Sequence, residues 1–480
     1  MTKILFINTN KWGRGLTHIW IASHSGLLKS KGHDVKLFDC TFYNSWSHNE
    51  IETNTNNKQY KRTDYNDYVN FKDTNPKKDL QDLINNYNPE IIFWSGLSSH
   101  INGEGEYVSL QYGYELLEGI SHNALLITGG IQATGDRENL IKEYPKIDYL
   151  ISGESELVLL EIIDNLNDKN KLKSIKGITF LDKDNKKIIA NPRQNIINNL
   201  DVLNFYDYEI FDPQVFFRAY NGEVIKALDY ELSRGCIYTC SYCVETVIQN
   251  YYGFDEKTKN GALVKAKNYL RCKSAKNVYE ELKFYKNKFK IDLVRCQDTN
   301  FLTINRDILN SLEKLLIANP LNLKLYIETR PEGINEISIK LLKNLGVDGV
   351  GMGIELADEN FRSKELNRFI GQDRIIKAFE ILKKNNIKRT TYNIIGLPGQ
   401  NEEHIKETIK FNKDLDPDNI TVHYYSPYVG TDQHKKSKKM KYFLDDKKNI
   451  DPRLRSLSDK SDNLKMLEFY MKNFVNLARN

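Results

Sequence analysis

Leu232-Ser233-Arg234-Gly235-Cys236-Ile237-Tyr238-Thr239-Cys240-Ser241-Tyr242-Cys243 sets three cysteines in one C-x3-C-x2-C run. The other three, Cys40, Cys272 and Cys296, stand alone in a chain of 480 residues. Three thiolates on one short loop can converge on one metal centre, and a fourth would close a zinc or iron–sulfur site. Three can also hold three irons of a [4Fe–4S] cubane and leave the last iron open to a ligand. A zinc site wants a fourth Cys or His, and none follows within about twenty residues. A disulfide would leave one cysteine over and needs an oxidising compartment, of which the sequence gives no sign.

Outward from this run, short apolar stretches alternate with segments of helical spacing. Strands are predicted at Val224–Tyr230, Ile291–Cys296, Leu323–Arg330, Gly349–Glu355, Arg389–Ile395 and Ile420–Tyr425. Helices are predicted over Val278–Phe289, Ile304–Ala318, Ile337–Leu345, Ile375–Lys384 and Asn401–Leu415, with Gly346 ending the third. This alternation implies a parallel sheet with helices outside it. Six such strands make a partial barrel, whose chemistry gathers at the carboxyl ends of the strands. Asp298, Arg330, Glu355 and the Gly396-Leu397 turn occupy that edge.

With Tyr242 in the aromatic position, the run resembles the radical S-adenosylmethionine (radical SAM) signature, C-x3-C-x-aromatic-C, and the resemblance extends over residues 225–430. It implies a partial (β/α)6 barrel and a [4Fe–4S] cluster on Cys236, Cys240 and Cys243. It further implies that SAM chelates the open iron and yields a 5′-deoxyadenosyl radical, which abstracts hydrogen from an unactivated carbon. Carried over by motif, Tyr242 neighbours the cofactor and Glu355 in Gly353-Ile354-Glu355 binds the ribose hydroxyls. Asp298-Thr299-Asn300 helps hold the methionine amino end, and Arg330 faces its carboxylate. The Gly396-Leu397 turn lets adenine approach the backbone. Cys296 reads as a core residue and Cys272, after a Lys-rich loop, as an exposed thiol.

The first 165 residues read as a separate doubly wound α/β module, whose ligands bind beyond the carboxyl ends of the strands. Its predicted strands are Lys3–Asn8, Val35–Asp39, Glu90–Gly96, Ala124–Thr128 and Asp148–Ser152, with helices at Ile19–Ser30 and near Tyr107–Gly119. Thr41–Lys78 is polar and rich in Asn and Tyr, as in a loop or insertion. The order of the Lys31-Gly32-His33-Asp34 helix exit, Ser95-Gly96-Leu97-Ser98, Gly129-Gly130 and Gly153-Glu154 resembles the cobalamin-binding domain that precedes many radical SAM cores. That resemblance implies Ser98 on the corrin amides, Gly129 and Gly130 beside the nucleotide tail, Gly153 and Glu154 at the site, and Trp12 with the Asn10–Gly15 loop over a corrin face. The Asp-x-His-x-x-Gly motif that ligates cobalt in many cobalamin proteins is absent, and His33 reads as structural.

A hairpin is predicted around Asp182–Asn185, and residues 166–224 read as a bridge between the modules. Residues 225–430 form the barrel and 431–480 a short helical C-terminal region, with a solvated basic run at His434–Lys441 and a helix over Leu464–Leu477. Lys+Arg 69 against Asp+Glu 64 gives a charge of only +5, which argues against a dedicated nucleic-acid binder. No stretch approaches a membrane span, and the start reads as a buried strand, not a secretory signal. The combined resemblance implies a cytoplasmic cobalamin-dependent radical SAM enzyme, foremost a C-methyltransferase. Its partners would be a small-molecule or peptide substrate and a flavodoxin- or ferredoxin-type electron donor. A cyclase, rearrangement or oxidation enzyme with the same cofactors is the second reading, and a non-catalytic iron–sulfur protein the third.

Overall fold

The structure is a computed structural model that describes residues 1–48, 54–65, 67–96, 110–203, 205–440 and 461–480. The chain forms two compact units. One comprises Met1–Glu50, Tyr65–Arg218 and Val247–Gly253, and the other Ile51–Asp64, Ala219–Thr246 and Phe254–Asn480.

In the first unit, β1 (Lys3–Asn8), β2 (Asp34–Asp39), β3 (Ile91–Ser95), β4 (Leu125–Gly129) and β5 (Tyr149–Ile151) run parallel in the order 2-1-3-4-5. The near-continuous apolar character of β1 and β3 suits strands covered on both faces. The order reverses between β1 and β3, which opens a crevice at their carboxyl ends. β6 (Ile178–Asp182) and β7 (Lys187–Ala190) extend the sheet antiparallel, as the predicted hairpin requires. Two short helices, Ile131–Gly135 and Arg137–Glu143, lie where no helix was predicted, because each is too short to show a helical period. Within the polar Thr41–Lys78 stretch, Tyr43 bridges to Lys72, and a helix starts at Pro76 behind an Asn75 cap.

In the second unit, β8 (Phe217–Tyr220) forms one edge of a seven-stranded sheet. β9 (Glu223–Tyr230) follows, then a two-stranded ribbon of β10 (Ser233–Arg234) and β11 (Arg271–Cys272). The sheet continues with β12 (Leu293–Cys296), β13 (Lys324–Glu328), β14 (Val347–Glu355), β15 (Lys388–Ile395) and β16 (Asn419–Tyr424). β9 and β12 to β16 are all parallel and follow chain order, giving the six-stranded half-barrel. The helix Ser461–Arg479 packs Leu467, Tyr470 and Phe474 against Ile405, Ile420 and Val422, while Phe469 and Leu477 remain exposed.

The basic run, whose composition reads as a solvated loop, is a helix, Asp432–Lys439. Thr431 caps it by accepting from His434 N at 3.2 Å, and Asp432 complements the helix start. Among the described residues, no helix is long and apolar enough to cross a membrane.

Candidate functional site

The cysteine loop leaves β10 through Gly235, whose φ of 101° places it where a side chain is strained. A Cβ there would lie 2.8 Å from the Tyr269 carbonyl oxygen. Cys236 and Cys240 are buried, Cys243 is half-buried, and none of the three forms a disulfide. The Tyr238 N–H donates to Cys236 Sγ at 3.4 Å. Burial pushes the Cys236 thiol up to about 12 and the Cys243 thiol well above its usual value, and the Glu245 charge adds to both. Such thiols stay protonated near neutral pH until a metal cation compensates their charge, so the donor set suits a cationic iron centre. Among the described residues, no three His, Cys, Asp or Glu side chains converge on a single-ion site. A cubane offers separate irons to separate thiolates, so its ligands need not meet at one point.

The strand ends predicted as site residues meet this loop. Glu355 closes β14 at φ 64°, a left-handed conformation for a buried non-glycine residue, beside a register irregularity between Gly353 and Glu355. Strain of this kind persists where surrounding structure enforces it. The Tyr242 hydroxyl donates to Glu355 Oε1 at 2.7 Å, joining the aromatic position of the loop to the carboxylate. Arg368 Nη1 lies 3.8 Å from the same oxygen, and Arg368 also donates to the Gly353 carbonyl.

Arg330, just beyond β13, directs Nη1 to Cys240 Sγ at 3.7 Å and stacks over the Tyr238 ring at 3.6 Å. Glu332 pairs with its other face, Nε to Oε1 being 3.0 Å. Asp298, buried beyond β12, accepts from Ser233 N at 2.6 Å, Ser233 Oγ at 2.5 Å and Leu232 N at 3.2 Å. It therefore braces the strand that launches the loop. Burial raises its carboxyl to about 7, against the pull of these hydrogen bonds. The neighbouring Thr299 Oγ1 is buried with no hydrogen-bond partner among the described residues, so a donor or acceptor is open to a ligand there.

Gly396, at φ 81°, and Leu397 turn out of β15, and both backbone N–H groups donate to Gln400 Oε1, at 2.6 and 3.2 Å. Leu397 packs with Leu356, Phe361, Leu366 and Tyr425, and Tyr242 lies against this cluster.

The sequence reading missed the polar side chains deeper between the strands. Tyr392 donates to Glu328 Oε1 at 3.1 Å, Arg295 Nη2 lies 3.4 Å from that oxygen, and Tyr326 and Tyr392 hydroxyls are 3.0 Å apart. Their one sequence signal is the alternation Gly349, Gly351, Gly353 on one face of β14. A Cβ on Gly351 would meet Tyr392 Oη at 2.5 Å, and one on Gly349 would meet the Tyr326 ring at 2.8 Å.

In the first unit, Trp12 is buried after β1, with its backbone N–H donating to Asn10 Oδ1 at 2.9 Å and Arg14 stacked 4.5 Å over its ring. Gly129 ends β4, and Gly130 follows at φ 95°. Gly153, at φ 79°, is backed by Tyr251 and Tyr252, since a Cβ would meet Tyr252 Oη at 2.5 Å. Glu154 accepts from Ile197 N at 2.9 Å and its own N–H donates to Tyr252. Ser98 lies outside the described residues. His33 accepts from Thr2 N at 3.4 Å, a structural contact. Thr9 Oγ1, Trp20 Nε1 and Asp39 Oδ2 are buried without hydrogen-bond partners among the described residues. All three belong to elements that begin or end at the carboxyl mouth of β1 and β2, where a ligand with amide groups would satisfy them. Cys296 is buried as predicted, but Cys272 is half-buried in β11, because the ribbon covers it.

Residues 230–411 match the model of the Radical SAM superfamily. An uncharacterised methyltransferase of Pyrococcus horikoshii is 26% identical over 357 residues, covering 74% of this chain and 70% of that protein. The anaerobic magnesium-protoporphyrin IX monomethyl ester cyclase of Rubrivivax gelatinosus is 22% identical over 451 residues, covering 90% of this chain and 69% of the cyclase. The solved structure of the radical SAM methyltransferase TsrM from Kitasatospora setae, with cobalamin and a [4Fe–4S] cluster bound, aligns at TM-score 0.66 and 14% identity over 96% of this chain and 83% of that one. The cobalamin-dependent SAM radical enzyme OxsB with aqua-cobalamin aligns at TM-score 0.67 and 14% identity over 99% of this chain and 67% of that one.

Proposed function

Residues 230–411 are a Radical SAM superfamily domain, and on that premise we propose that this chain is a cobalamin-dependent radical SAM C-methyltransferase. One observation carries the reading. The three-cysteine loop and the Glu355 strand end meet through the Tyr242–Glu355 hydrogen bond of 2.7 Å, at the carboxyl mouth of a parallel half-barrel.

When bound, the cluster with SAM supplies homolytic chemistry at carbon, and cobalamin supplies a methyl group. Cys236, Cys240 and Cys243 would hold the cluster. Arg330, already against Cys240, would face the SAM carboxylate, and Glu355 would accept from the ribose hydroxyls. Leu397 and the Gly396 turn would lie along adenine. Asp298 fixes the launch of the loop, and Thr299 offers the unengaged hydroxyl. In the first unit, Gly129, Gly130 and the Trp12 loop would lie against the corrin, with Gly153 and Glu154 holding the frame behind them.

The reading includes a flavodoxin- or ferredoxin-type electron donor and a small-molecule or peptide substrate in preference to nucleic acid. It also includes a cytoplasmic setting, which suits cysteines that form no disulfides.

The cyclase relative, which aligns over 90% of this chain, favours ring closure as the second reading. One experiment separates the two without knowledge of the substrate. The chain is reconstituted anaerobically with iron, sulfide and cobalamin, then given reductant and methyl-labelled SAM. Methyl transfer predicts 5′-deoxyadenosine together with S-adenosylhomocysteine and label on the corrin. Deoxyadenosine without corrin label selects the second reading, and a zinc-loaded chain that leaves SAM intact defeats both.

A further inference from the structure

Thr239 donates through N and Oγ1 to the Gly261 carbonyl, and the Ser241 carbonyl accepts from Gln433 N at 3.0 Å. The side-chain contacts that tie these two residues to the Glu355 strand end, however, come from one short segment that follows Glu355 in the chain. The helix Glu359–Leu366 ends in Asn367, which adopts φ 52°. Asn367 Nδ2 donates to both the Thr239 carbonyl and Thr239 Oγ1, each at 2.8 Å. Ser241 N donates to the Leu366 carbonyl at 3.0 Å, and Ser241 Oγ to the Glu365 carbonyl at 2.6 Å. The next residue, Arg368, reaches the opposite way, to the Gly353 carbonyl and toward Glu355 Oε1. Arg362, fully buried, holds the start and end of the segment by donating to the carbonyls of Leu356 at 2.6 Å and Ile370 at 2.9 Å.

We propose that Asn367 is a positioning residue for the cysteine loop, and that residues 365–368 form a strap holding that loop in register with Glu355. The inference rests on the radical SAM reading of the loop and adds to it a residue outside the signature. The physical basis is local. Thr239 and Ser241 flank Cys240, and Ser241 lies two residues before Cys243, so fixing their backbone constrains the thiolate directions. Because the adjacent Arg368 serves Glu355, occupancy of the ribose side and order in the loop share one element, and any coupling between them is reciprocal.

Asn367→Gly separates this role from a role in folding. Glycine suits the left-handed backbone at this position and removes only the side-chain donors. Asn367→Asp keeps the shape but turns the donors into acceptors that face two oxygens. The full chain and both variants are reconstituted anaerobically with iron and sulfide. Iron and sulfide retained after gel filtration are measured, with the EPR spectrum of the reduced cluster before and after SAM. Melting of the metal-free chains is followed in parallel.

Loss of two neutral hydrogen bonds corresponds to roughly a tenfold or greater fall in the equilibrium constant for the ordered loop. The expected result is lower retained iron and an altered SAM-induced EPR change in both variants, larger for Asn367→Asp, with the metal-free melting of Asn367→Gly unchanged. Unaltered iron content and EPR in both variants overturn the proposal while leaving the radical SAM reading intact. So does a fall in Asn367→Gly melting that accounts for the iron loss. A parent chain that takes up no cluster overturns the reading and the proposal with it.

Discussion

Glu355 carries two unusual burdens at once, a left-handed backbone and a buried carboxylate. Its charge is balanced by Tyr242 and Arg368, both of which approach Oε1. Glu355→Gln keeps the size of the side chain and removes the charge. Charge-assisted hydrogen bonds are worth about 1.5–3 kcal/mol, so SAM should bind roughly ten to a hundred times more weakly. Equilibrium binding of SAM to the reconstituted chain measures this, and iron content should match the parent because Glu355 holds no sulfur. Asp298 gives a pH prediction of defined sign. Its carboxyl is raised from 3.8 to about 7, so the folded chain keeps a proton that the unfolded chain has lost. The contribution of Asp298 to stability therefore falls as pH rises from about 4 to about 7 and is level above, by at most about 4 kcal/mol. Melting of the metal-free parent and Asp298→Asn across that range should show a slope in the parent that the variant lacks. Parallel curves would refute the assignment.

At the scale of elements, β14 is the strand on which the half-barrel interior depends. Its glycines admit Tyr326 and Tyr392 across the sheet, and those rings carry the hydrogen bonds to Glu328. A methyl group on Gly351 would fall 2.5 Å from Tyr392 Oη, with no room for either to give without breaking the network. Gly351→Ala should lower stability by about 1–3 kcal/mol, as overpacking does. Chemical denaturation checks it, and an unchanged midpoint would show that Tyr392 repacks freely. The helix Asp432–Lys439 shows how an element can hide in sequence. Five of its eight residues are His or Lys, yet Thr431 caps it, Gln433 and Ser437 are buried, and Lys436 pairs with Glu365. The capping residue was visible, but its partner Glu365 is distant in the chain.

For the whole molecule, the two units carry separate candidate sites, and their loss should be separable. Replacing Cys236, Cys240 and Cys243 by Ala should abolish iron uptake and 5′-deoxyadenosine formation while cobalamin stays bound. Corrin absorbance retained through gel filtration tests the second half of that statement. Its loss along with iron would mean that the corrin is not held by the first unit alone.

The strand order of the half-barrel was legible because parallel strands buried on both faces leave apolar runs, each followed by a helix of clear period. The cysteine loop was legible because its residue type and spacing within one loop are those that ligation of a cluster would demand. Local signals of this kind are set by neighbours along the chain, so sequence alone determined the architecture and the three thiols. Asn367, Arg368 and the Glu328–Tyr392 pair were not legible. Their partners lie 128 residues away at Thr239, 15 away at Gly353 and, within the pair, 64 apart, with no periodicity linking them. Only the closing of the sheet brings such groups within hydrogen-bond reach, so tertiary structure decided what braces the loop and what faces the interior.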